Sequence, residues 1–153
     1  MISIKRILAP IDFSDCSDKA LAYAAEFAEK LKAELICVYV VPDLSAAVPD
    51  AVMPVPIATP DLDEILQSAR ESVAKRMADK KLDGVTHRGD VRIGSASTEI
   101  VEAAKELQAD LIVIGTHGRG PIAHFLLGSV AEKVVRNARC PVLTVHLEET
   151  VGA

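Results

Sequence analysis

Short apolar runs alternate with segments of helical periodicity along this chain, and that alternation limits it to few folds. Ile4-Lys5-Arg6-Ile7-Leu8-Ala9-Pro10-Ile11 is apolar enough for a strand covered on both faces, as in a parallel sheet. Ser14 and Asp15 are N-cap candidates for the helix that follows, whose apolar face is read as Ala20, Leu21, Ala24, Phe27, Ala28 and Leu31. Glu34 to Val41 forms a second buried strand that Pro42 stops. A second helix is expected from about Asp61 to Lys81, with Leu62, Ile65, Leu66, Ala69, Val73 and Met77 facing inward. Val85 to Ile93 alternates more, as a partly covered strand does. Ser95 or Ser97 caps a third helix on Ile100, Ala103, Ala104 and Leu107. Asp110 to Ile114 is the most apolar strand. A fourth helix begins near Ser129, with Val130, Val134, Val135 and Ala138 inward, and Pro141 to His146 is the fifth strand. Strands alternating with helices imply an α/β fold with a parallel sheet wound by right-handed crossovers.

The 153 residues suit one domain spanning residues 1–153, with a proline-rich loop over 42–60 and a frayed tail over 148–153. The loop holds five of the eight prolines and no lysine or arginine, so it is not a continuous helix. A net charge of −5 lacks the broad basic footprint of a nucleic-acid binder, and the scarcity of aromatics leaves little for base stacking. No apolar stretch reads as a membrane span, so no membrane insertion is expected. The first residues lack the layout of a signal peptide. The three cysteines, Cys16, Cys37 and Cys140, show no C-x-x-C spacing and read as reduced thiols, which points to a cytoplasmic location. No zinc spacing exists among cysteines and histidines.

Chemistry concentrates in one glycine-rich loop. Gly115 directly follows the most apolar strand, and Gly128-Ser129 directly precedes a helix. Glycines let backbone N–H groups approach an anion, and the unpaired N–H groups of a helix start point at a phosphate. The loop is not a Walker A site, and Gly118-Arg119-Gly120 fails the dinucleotide pattern because Ala123 stands where its last glycine belongs. Position strengthens the case, because parallel sheets bind ligands beyond the carboxyl ends of strands where strand order reverses. Pro10-Ile11-Asp12 ends the first strand and Ile114-Gly115 the fourth, so a crevice between them places an acid and a glycine loop around one ligand. Val40, at the end of the second strand, would supply backbone groups to an adenine edge.

The loop, Gly115-x2-Gly118-x9-Gly128-Ser129, together with the blocks Ile7 to Ser14, Leu111 to Gly120, Leu127 to Val135 and Cys140 to Val145, resembles the universal stress protein family, in its ATP-binding branch. That resemblance implies a doubly wound five-stranded sheet of order 3-2-1-4-5 and a homodimer through the last strand, residues 141–146. It implies that Asp12 and the Val40 backbone recognise adenine, that Gly115, Gly118 and Gly128 allow close approach to ribose and phosphates, and that Ser129 and Val130 contact phosphates. ATP, with Mg²⁺ on its phosphates, is the expected cofactor, and no protein side chain is assigned to the metal.

Other residues read both ways. His117 is as consistent with solvent as with phosphate contact, and so is Arg119. His124 reads as a loop residue; His87 and His146 read as structural. Cys16 lies in a first helical turn, where a dipole could lower its pKa, but a structural or solvent-facing thiol is the simpler reading. The favoured function is a nucleotide-dependent regulatory or stress-response module. The alternatives are a slow ATP hydrolase and a nucleotide-free dimeric scaffold. The absence of a P-loop lysine and of an obvious base limits the hydrolase to a weak ATPase. On the nucleotide reading, Gly128→Val should abolish binding and leave fold and dimer intact.

Overall fold

In a computed structural model, residues 1–43, 61–117 and 127–147 are described. The strands are β1 (Arg6–Ile11), β2 (Glu34–Pro42), β3 (His87–Gly94), β4 (Leu111–Gly115) and β5 (Val142–Val145), and the helices α1 (Asp15–Leu31), α2 (Leu62–Met77), α3 (Ala96–Glu106) and α4 (Ser129–Asn137). The sheet runs β3-β2-β1-β4-β5 with every pair parallel. This is the expected five-stranded α/β order. Most of the proline-rich loop and the tail after Leu147 lie outside the described residues.

The side-chain period of two splits each central strand between two cores. Ile7, Ala9, Leu35, Cys37, Leu111 and Val113 pack with α1 and α2 on one face. Leu8, Ile36, Val38, Val40, Ile112 and Ile114 pack with α3 and α4 on the other. Burial on both faces is why β1, β2 and β4 read as continuous apolar runs, whereas the edge strand β3 has no buried residue.

Several local expectations change. Helix α2 ends at Met77, and a separate 3₁₀ turn covers Lys80–Leu82, because the Asp79 carboxylate accepts the Lys81 N–H and starts a new cap. Pro42 is the last residue of β2 rather than the residue beyond it. Helix α1 buries Ala20, Leu21, Ala24, Ala25 and Ala28, and leaves Phe27 and Leu31 exposed. Leu62, Val130 and Val135 are likewise exposed. The helical period was correct in each case, but the buried stripe is narrower than the apolar residues allow.

Candidate functional site

Strand β1 feeds α1 on one face of the sheet, and β4 feeds α4 on the other. The chain therefore leaves two adjacent strand ends in opposite directions, which opens a crevice between them. The cavity there measures about 310 Å³. Pro10, Ile11, Asp12, Val40, Ile114, Gly115, His117, Gly128, Ser129 and Val130 all line it. Gly118 and Arg119 lie outside the described residues. So does His124. Sequence reasoning missed Ser17, Val38, Ala96, Ile100, Thr116 and Ala131. Val38 was legible, since it stands two residues before Val40 on the same strand face. Thr116 was not, because its partners Val145 and Gly128 lie far from it in sequence.

At the β1 end, Asp12 has two roles. Its Oδ1 accepts the Ser14 N–H at 2.9 Å, closing an Asx turn, and it lines the cavity. Ser14 is the N-cap of α1, its hydroxyl accepting the Ser17 N–H at 3.2 Å. Ser17 donates its own hydroxyl to the Ser14 carbonyl at 3.1 Å and accepts the Asp12 N–H at 3.2 Å. Between them Phe13 takes a φ of 64°, an unusual value for a bulky residue. Its ring packs 4.9 Å from that of Tyr39 and lies under the Arg76 guanidinium, 5.5 Å away. Arg76 also pairs with Asp18 at 2.8 Å. These contacts hold the turn that carries Asp12.

The apolar wall comes from β2 and α3. Strand β1 stops at Ile11, opposite Tyr39, whereas β2 runs on to Pro42 against β3. Val40 is therefore flanked by a strand on the β3 side alone. Val38, Val40 and Ile100 line this side of the cavity.

Thr116 is fully buried. Its N–H donates to the Val145 carbonyl at 3.0 Å, and its carbonyl accepts the Gly128 N–H at 2.6 Å. Its hydroxyl stands 2.9 Å from His117 Nδ1. Gly128, rather than Ser129, is the N-cap of α4. It offers no side chain to the first-turn N–H groups, a position where an anion is favoured. Gly115 packs on α1: a Cβ there would stand 3.0 Å from the carbonyl carbon, carbonyl oxygen and Sγ of Cys16. Gly115 and Gly128 thus serve the close packing of the protein itself, a role their place in the glycine pattern did not reveal.

The cysteines separate by environment. Cys16 is buried and donates its thiol to the Val145 carbonyl at 3.3 Å, which favours its structural reading. Cys37 is fully buried in β2, and burial pushes its thiol up to about 12. Burial also raises the pKa of the half-buried Cys140. His87 is exposed, its Nδ1 2.7 Å from the Val85 carbonyl, and the carbonyl of the exposed His146 accepts from Lys19. Among the described residues no group of three His, Cys, Asp or Glu side chains is placed to hold a metal ion, and no helix is long and apolar enough to cross a membrane.

A model of the universal stress protein family matches residues 3–146. The universal stress protein MJ0531 of Methanocaldococcus jannaschii is 38% identical over 144 residues, covering 92% of this chain and 81% of the relative. Among solved structures, that of hypothetical protein MJ0577, described as a structure-based assignment of biochemical function, is 25% identical with a TM-score of 0.80 and covers 97% of this chain and 100% of its own. A universal stress protein in complex with cAMP is 26% identical with a TM-score of 0.68, covering 95% of this chain and 99% of its own.

Proposed function

This chain belongs to the universal stress protein family, and from that premise we propose that its cavity binds an adenine nucleotide, ATP by preference, and that occupancy regulates what the protein contacts. One observation carries the reading. Ten residues singled out for nucleotide contact converge on a single crevice at the point where strand order reverses. Val38, Val40 and Ile100 offer an apolar slot suited to a base, and Asp12 stands at its edge. The start of α4 at Gly128-Ser129, with no side-chain cap, suits a phosphate. The related structure in complex with cAMP supports an adenine ligand class. Mg²⁺ would enter on the phosphate oxygens.

Regulation is favoured over catalysis by the lining. Among the described residues Asp12 is the one carboxylate in the cavity, and its Oδ1 is already held by Ser14. No described lysine or arginine lines the cavity to clamp a transferring phosphoryl group. The expected state is a homodimer through β5, in the cytoplasm. The test uses freshly purified, undialysed protein, denatured and analysed for released nucleotide by chromatography and mass spectrometry. ATP at near one per chain supports the site and slow turnover. ADP alone supports the hydrolase. Absence of nucleotide, with no heat on titrating Mg²⁺-ATP, supports the scaffold.

A further inference from the structure

The buried hydroxyl of Thr116 has a use that the nucleotide reading does not require. Thr116 Oγ1 lies 2.9 Å from His117 Nδ1 and 4.0 Å from Cys16 Sγ. Cys16 spends its one proton on the Val145 carbonyl, which only accepts. Toward Thr116 the sulfur is therefore an acceptor, and a weak and distant one. The neutral imidazole nitrogen is the stronger acceptor and much nearer. The threonine hydroxyl then donates to Nδ1, and the imidazole proton resides on Nε2. His117 lines the cavity, and among the described residues its buried Nε2 has no hydrogen-bond partner. A buried donor without an acceptor is unfavourable, so a ligand that brings an acceptor into the cavity is favoured.

We propose that Thr116 is a positioning residue that holds His117 as a neutral Nε2–H donor, and that this donor recognises a phosphate oxygen of the ligand. The second half rests on the nucleotide site proposed above. The Gly128 N–H bonds the Thr116 carbonyl at 2.6 Å, which sets His117 beside the first turn of α4, where an anion is favoured. The base slot at Val38, Val40 and Ile100 belongs to other elements. Thr116, at the centre of the β4 turn, thus links tautomer choice to phosphate recognition.

The two halves are tested separately. Long-range ¹H–¹⁵N spectra of ligand-free protein at pH 8, with His117 assigned through His117→Gln, should show an unprotonated Nδ1 and a protonated Nε2. A protonated Nδ1 overturns the proposal, and this spectrum needs no Thr116 variant to fold. Thr116→Val, isosteric but without the hydroxyl, should mix the tautomers and weaken ATP binding about 5-fold, the loss of one neutral hydrogen bond. Adenosine affinity should stay unchanged, and Thr116→Ser should restore both the spectrum and the ATP affinity. Wild-type tautomer and ATP affinity in Thr116→Val overturn the proposal. Wild-type protein that binds no nucleotide overturns the nucleotide site and phosphate recognition together, while the spectrum still judges the role of Thr116.

Discussion

Gly128 donates its N–H to the Thr116 carbonyl across 2.6 Å, and a Cβ built on Gly128 would stand 2.7 Å from that same oxygen. The sequence-based expectation that Gly128→Val removes the ligand and spares the fold is therefore corrected. The clash is with backbone, which has no rotamer to yield, so the turn from β4 must shift. Gly128→Ala should lower stability by about 1–3 kcal/mol, the range for overpacking a tight site. Urea denaturation should register that loss, and calorimetry on the same preparation should show weakened nucleotide binding. Unchanged stability would mean that the turn relaxes freely.

Asp12 separates structure from recognition. Its Oδ1 closes the turn to Ser14 at 2.9 Å, and an asparagine retains that acceptor while losing the charge. Asp12→Asn should leave stability within about 0.5 kcal/mol of wild type and weaken nucleotide binding. Asp12→Ala should lose the turn as well, at about 0.5–2 kcal/mol by analogy with a lost helix cap. Thermal unfolding compared with calorimetric titration distinguishes the two variants. Equal nucleotide affinity in wild type and Asp12→Asn would remove Asp12 from recognition.

The topology was legible because the dominant signal is local. Strands buried on both faces must be apolar throughout, and Ile7-Leu8-Ala9 and Leu111 to Ile114 are. The crevice followed from topology plus the glycine spacing, which brought the β1 and β4 ends together before any contact was known. Thr116 was not legible because its hydrogen-bond partners, Val145 and Gly128, come within reach only through β4–β5 pairing and the start of α4. Phe27, Leu31 and Val135 keep the helical period, which alone reads them as inward. Their exposure depends on how each helix is rotated against the sheet, which period alone does not specify. Phe13 gave no sign of its positive φ, since glycine is the residue that usually announces one.

Cys37 makes stability depend on pH. Burial raises its thiol from the ordinary 9.0 to about 12, against a smaller downward pull from Arg76. Below the unfolded value the thiol is protonated in both states, and its contribution is fully present. Above it the unfolded chain ionises while the folded chain holds its proton, so stability falls as pH rises toward the folded value. The slope from this one group is about 1.4 kcal/mol per pH unit at most. Urea midpoints at pH 8 and pH 10 should differ by more in wild type than in Cys37→Ala, and equal differences would place the alkaline loss elsewhere.

The dimer expectation acquires a surface. Lys19, Tyr23, Phe27 and Leu31 follow one another at intervals of four along α1, so they form one ridge. Lys19 Nζ reaches the His146 carbonyl at 3.0 Å, which sets that ridge on the β5 side. Tyr23, Phe27 and Leu31 are 47%, 36% and 45% exposed, and β5 is an edge strand in the described sheet. The carbonyls of Pro141 and Val145 accept from β4 and from Thr116, so the alternating backbone of Thr144 faces the open edge. A second copy of the chain would cover both the edge and the ridge. Thr144→Pro removes an edge N–H and spares the β4 ladder. It should convert dimer to monomer in light scattering, as should Phe27→Glu, which places a charge in the apolar ridge. A wild-type monomer at tens of micromolar, or a dimer surviving both substitutions, would rule this surface out.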